Sequence, residues 1–78
     1  MKLRVIFREY DLPYVFPNGS KERGEFLGSF EVDIEGQTPV EILSIANKKA
    51  TEYSEKNKSD VRVWETTIVV TPTGIQSL

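Results

Sequence analysis

Residues 15–20 read Val15-Phe16-Pro17-Asn18-Gly19-Ser20, and the Asn-Gly pair inside them organises the first half of the chain. Asn-Gly between alternating apolar runs is the strongest short-range hairpin signal, because a two-residue type I′ turn needs φ > 0 at both central positions. On its N-terminal side, Lys2 to Tyr10 alternates with period two. Leu3, Val5 and Phe7 fall on one face, and Lys2, Arg4, Ile6 and Arg8 on the other. On its C-terminal side the same period runs from Phe26 to Glu35, with Phe26, Phe30, Val32 and Ile34 opposite Ser29, Glu31, Asp33 and Glu35.

A turn centred on Asn18 and Gly19 predicts a register in which partner residue numbers sum to 37. Leu3 then meets Ile34, Val5 meets Val32 and Phe7 meets Phe30, while Lys2 faces Glu35 and Arg4 faces Asp33. Pro13 and Pro17 each remove a ladder donor, so the first arm is expected to be bulged or irregular between Asp11 and Pro17.

Further along, Thr38 is the expected N-cap of a helix, with Pro39 at the first helical position and Glu41 closing a capping box. Leu43, Ala46, Ala50 and Tyr53 recur at helical spacing, with Val40 and Ile42 beside them, and the helix should fade near Asn57. A third strand is expected over about Val61 to Thr71. Its facing is ambiguous: Trp64, Thr66, Ile68 and Val70 share one side, and Val61, Val63, Thr67 and Val69 the other. Pro72 and Gly74 end it, leaving 72–78 as a loose tail.

The expected fold is therefore α+β: a single small ββαβ domain over residues 1–78, with a long β-hairpin and a third strand in one three-stranded sheet and one helix packed on one face. A right-handed crossover would place the third strand beside the first, in order 2-1-3. The alternative sets it beside the second. Either way the opposite sheet face is left uncovered.

The 78 residues suit one domain with a modest core. The chain has no Cys and no His, which removes disulfides, thiol catalysis, His-based triads and the commonest metal ligands. Its five glycines are scattered and match no phosphate-binding loop. Glu31, Asp33 and Glu35 form an acidic row that an oxygen-liganded cation could use. The hairpin register instead supplies Lys2, Arg4 and Arg8 as partners across the sheet, so no metal or cofactor is expected. A net charge of −2 with interspersed signs argues against a bulk nucleic-acid binder. No apolar run reaches membrane-spanning length and the first ten residues alternate, so a cytoplasmic location is expected.

The candidate contact residues lie on the hairpin. Continued alternation places Tyr10, Leu12, Tyr14 and Phe16 on the face opposite Leu3, Val5 and Phe7, answered by Lys21 and Arg23, with Arg4 and Arg8 nearer the base. Tyr and Arg are enriched at interface hot spots. The competing reading is that a bulge near Pro13 returns these aromatics to the core. Trp64 is expected to pack against the helix; the alternative is a solvent-facing anchor beside Ile6.

The function expected from these residues is that of a non-enzymatic protein-interaction module, a small regulator or inhibitor that occupies a larger partner. By analogy of size and composition alone, accessory proteins of phages or mobile elements are chains of this kind. Alternatives are a single-stranded nucleic-acid-binding domain, and a self-assembling protein that uses the open face or a strand edge.

Overall fold

The structure, a computed structural model, describes residues 1–69. The expectations for Val70, Thr71, Pro72, Gly74 and the tail to Leu78 lie outside the described residues. The element order is β1 (Lys2–Tyr10), β2 (Tyr14–Val15), β3 (Lys21–Glu22), β4 (Phe26–Glu35), α1 (Pro39–Asn57) and β5 (Asp60–Ile68). β4, β1 and β5 form a three-stranded sheet in that order, both pairs antiparallel, and β2 pairs with β3 in a small second sheet. This is the α+β arrangement read from the sequence, with the strand after the helix beside the first strand.

The turn differs from expectation. The Phe16 amide donates to the Ser20 carbonyl at 2.8 Å, and the Gly19 amide donates to the Phe16 carbonyl at 2.9 Å. Pro17, Asn18 and Gly19 are thus a three-residue loop. Gly19 takes the left-handed position (φ 88), whereas Asn18 has no positive φ. Pro17 presets the first central torsion of such a turn, and Gly supplies the closing bulge. The Asn18 Oδ1 accepts from the Ser20 amide at 3.0 Å and from the Ser20 hydroxyl at 2.6 Å.

A three-residue loop shifts the outer register by one, so Tyr14 pairs with Glu22 and Val15 with Lys21. A bulge then shifts it back. Tyr10 pairs with Phe26 but Glu9 pairs with Gly28, leaving Leu27 as the extra residue. From Glu9 down to Lys2 the pairs are those expected, including Phe7 with Phe30, Val5 with Val32 and Arg4 with Asp33.

Between the two sheets the hairpin is irregular at 11–13, where the prolines predicted it. The Asp11 amide still donates to the Glu25 carbonyl at 2.8 Å. Gly24 lies directly against the Asp11–Leu12 backbone, where any Cβ would overlap the Asp11 carbonyl. Beyond this elbow the arm projects from the body. The molecule measures 60 × 22 × 19 Å, and its radius of gyration is 15.9 Å, against about 11–12 Å for a compact chain of this length.

Thr38 caps α1 by accepting from the Glu41 amide at 3.1 Å, and Pro39 occupies the first turn. The Glu41 carboxylate reaches the Gln37 amide at 3.2 Å, one residue upstream of the capping-box position. Lys58 ends the helix in the left-handed region (φ 53), its amide donating to the Ser54 carbonyl. The buried stripe is Ile42, Ala46 and Ala50, with Ile45 and Tyr53 packed beside it. Leu43 and Val40, expected on or near the stripe, are exposed. Of the expected stripe, Ala46, Ala50 and Tyr53 hold their places, and Ile42 and Ile45 take the part expected of Leu43.

These residues cover the sheet face formed by Val5, Phe7, Ile34 and Val61, edged by Leu3, Phe30, Val32 and Val63. Phe7 stacks on Phe30 with centroids 5.2 Å apart, and Tyr53 meets both rings edge-on at 5.7 and 5.4 Å. The Ser54 hydroxyl ties helix to sheet: it accepts from the Val61 amide at 2.9 Å and donates to the Ala50 carbonyl at 2.8 Å. Buried Ser59 donates to Glu9 at 2.6 Å, closing the connection into β5.

A second bulge settles the facing of β5. Phe7 pairs with Val63 but Ile6 pairs with Glu65, so Trp64 is the extra residue. Val61 and Val63 pack under the helix before the bulge, and Thr66 and Ile68, paired with Val5 and Leu3, lie on that side of the sheet after it, with Ile68 exposed. Trp64 therefore stands on the open face, 51% exposed, and does not pack against α1 as expected. Phe26 is corrected in the same way: the Leu27 bulge moves it from the helix side to the row of Tyr10.

Candidate functional site

The open sheet face carries the side chains of Arg4, Ile6, Arg8 and Tyr10 from β1, because alternation sends Leu3, Val5, Phe7 and Glu9 to the helix. Its lower half is charge-balanced. Arg4 donates through Nε to Asp33 at 2.9 Å and lies 3.7 Å from Glu31. The Arg4 hydrogen bond holds the Asp33 carboxyl below its usual range, and Asp33 in turn raises the guanidinium. Lys2 and Glu35 face each other in register as expected. Ile6 sits between Glu31 and Glu65.

The upper half is aromatic and cationic. The Arg8 guanidinium lies over the Trp64 ring, 3.8 Å from its centroid, with the Phe26 ring at 5.4 Å. Phe26 meets Tyr10 edge-on at 5.6 Å, and Arg23 sits 5.1 Å above the Tyr10 ring. Tyr10 is consequently buried, although it belongs to the open face. Arg62, across from Arg8, is committed to Asp60 at 2.9 Å, and that bond raises its pKa. Among the described residues Arg8 has no acidic partner within ion-pair distance. A guanidinium stacked on rings is held in place and weakly hydrated, with its N–H fork directed outward in the plane.

Two bulges in two different strands converge on this one row. The β4 bulge turns Phe26 across the sheet, the β5 bulge leaves Trp64 as an extra residue on the open face next to helix-facing Val63, and both rings meet Arg8. Bulges are devices that re-aim side chains, and they recur beside functional sites. The structure thus brings together Arg8, Tyr10 and Arg23 of the sequence-predicted set and adds Phe26 and Trp64. Gly28, a glycine inside a strand pattern, was the signal for the first bulge. The two-sided apolar pattern of β5 was the signal for the second.

Leu12, Tyr14, Phe16 and Lys21 lie beyond the elbow and apart from this cluster. Tyr14 is 62% exposed, Leu12 56%, Val15 55% and Phe16 38%, so the arm does not fold back as core. Tyr14 and Phe16 touch edge-on at 4.8 Å.

An open groove of about 500 Å³ separates α1 from β5, lined by Asn47, Thr51, Ser54, Asp60, Arg62 and neighbouring apolar atoms. Several of its polar groups are already bonded, Ser54 to the Ala50 carbonyl and the Val61 amide, Thr51 to the Asn47 carbonyl and Arg62 to Asp60, while Glu55 also lines it. Among the described residues no three acidic side chains gather as a metal-ligand set, and no helix is long and apolar enough to cross a membrane. No family model, curated protein or solved structure matches the chain.

Proposed function

We propose that the chain is a non-enzymatic protein-interaction module, a small regulator or inhibitor that acts by occupying the surface of a larger partner. The observation that carries this reading is the convergence of two register breaks on Arg8. A sheet that only needed to cover its helix would gain nothing from turning Phe26 out of the covered face or from carrying Trp64 as an extra residue on the open one. Together they build a Trp-Arg-Phe-Tyr row on the side left open, with the composition of an interface hot spot. The Arg8 fork is matched to a partner carboxylate, accepted in its plane.

Two further features separate this reading from its competitors. Arg8 and Arg23 already lie over the rings of Trp64 and Tyr10, the surfaces on which bases would stack, and Glu31, Glu65 and Asp60 share the sheet face. Both weigh against single-stranded nucleic acid. Each outer strand carries a bulge, and β4 adds Glu31, Asp33 and Glu35, which blunts edge-to-edge assembly.

The test compares wild-type chain with Arg8→Gln and Trp64→Ala variants, tagged and incubated with lysate of the source organism before and after nuclease. The expected result is one specific protein retained after nuclease and lost by at least tenfold in each variant, about 1.4 kcal/mol or more. Loss of the captured material on nuclease treatment, with salt-sensitive binding of labelled single strands, would establish the nucleic-acid reading instead.

A further inference from the structure

Leu12 to Ser20 contains no charged residue, and this stretch is the far end of a molecule 60 Å long. Adjacent strand residues point to opposite faces. Tyr14 and Phe16 therefore share one face of the arm and Val15 occupies the other, and all three are exposed together with Leu12. An arm that docked flat would need only one apolar face. This one has two, and neither rests on the protein's own core.

Area narrows the occupant. Four side chains of this size and exposure offer on the order of 400 Å² of apolar surface. Two copies meeting tip to tip would bury roughly 800 Å² in total, the scale of a packing contact and short of the ~1,200 Å² of a stable interface. Flat docking would bury about half of the tip. Enclosure on both faces buries all of it, and a larger partner can add the half-exposed rings of Trp64 and Phe26 on the body.

Charge narrows it further. The collar of Asp11, Lys21, Glu22, Arg23 and Glu25 holds three acids and two bases. That gives no net attraction to anionic lipid, which draws basic segments, but it suits the mixed polar rim of a protein cleft. We infer that the arm is an insertion element whose tip enters an apolar-lined cleft of a protein partner and is contacted there on both faces. This rests on the interaction-module reading and adds the shape of the partner's site. Gly24 against Asp11 gives the element a fixed elbow.

Photocrosslinking separates the two claims. Tyr14, Val15 or Glu65 is replaced singly by p-benzoylphenylalanine, and each full-length protein is irradiated in lysate of the source organism. Circular dichroism first confirms that each derivative is folded. The expected result is that the derivatives at 14 and 15 link to the same polypeptide in yields within about threefold, at sites that peptide mapping places on opposing walls. A crosslink at only one of the two positions, a product of twice the chain mass, or co-sedimentation with vesicles containing phosphatidylserine would each overturn the inference. Linkage at 65 alone would overturn it while leaving the interaction-module reading intact. Linkage at none of the three would overturn both.

Discussion

The two halves of one hairpin make different use of the same alternation. In the inner half, Lys2 to Glu9 against Gly28 to Glu35, every apolar residue of one face meets another across the ladder and is covered by α1. In the outer half, Asp11 to Glu25, the apolar residues are as large but meet water on both faces. Burial is what stabilises a fold, so the inner half holds the domain together and the outer half contributes little. The elbow at Gly24 and the bulge at Leu27 mark the boundary between them. Large apolar side chains kept where they add no stability are a signature of recognition.

The contrast can be broken most forcefully from the inside. Phe7 is fully buried and touches both Phe30 and Tyr53. Phe7→Ala should cost about 3–5 kcal/mol, a large part of the ~4–12 kcal/mol available to a domain of this length. Thermal melts followed by circular dichroism should show the variant largely unfolded at 37 °C. A small shift in midpoint would mean that the core lies elsewhere.

The boundary itself comes next. Gly24→Ala forces a methyl group into the Asp11 carbonyl and should cost roughly 1–3 kcal/mol. Amide exchange should quicken at Asp11 and Phe16, whose amides bond across the arm, while Val5 and Phe7 stay protected. Uniform acceleration would show that arm and body are one cooperative unit. A gain should follow from Lys58→Gly, which relieves a side chain in the left-handed region at the helix end. About 0.5–1 kcal/mol of added stability is expected in urea titration, with no change in arm protection.

The smallest effect concerns the open face. Arg4 holds the Asp33 carboxyl below its ordinary 3.8. Because the folded value is the lower one, the pair stabilises the fold above about pH 4 and ceases to do so as pH falls through that lowered value. Both groups are at the surface, so the effect is slight. Arg4→Gln should flatten the stability profile below about pH 4 and leave pH 7 nearly unchanged.

The inner register was legible because Leu3, Val5 and Phe7 can meet Ile34, Val32 and Phe30 in only one way that buries both sets. It emerged correctly through two compensating departures. The loop at Pro17-Asn18-Gly19 is one residue longer than an Asn-Gly turn, and Leu27 inserts one residue on the other side. The helix was legible from Thr38, Pro39 and its capping chemistry. Ala46, Ala50 and Tyr53 of its buried stripe were legible too, but Leu43 was read where Ile42 lies, because Val40, Ile42 and Leu43 crowd the first turn and periodicity alone does not choose among them. Phe26 and Trp64 were misassigned for a shared reason. A single inserted residue reverses the facing of everything beyond it, and a bulge is fixed by tertiary pairing more than by local propensity. Arg8, Tyr10 and Arg23 were placed on the correct face, but their role around the two displaced rings emerges only from the fold.

If the arm serves recognition and not stability, urea unfolding of the Tyr14→Ala, Phe16→Ala double variant should show it. Its midpoint and slope should match wild type to within about 0.5 kcal/mol, with capture of the protein partner lost. A variant destabilised by about 3 kcal/mol or more, the cost of emptying a core site, would contradict it and return both rings to the structural framework.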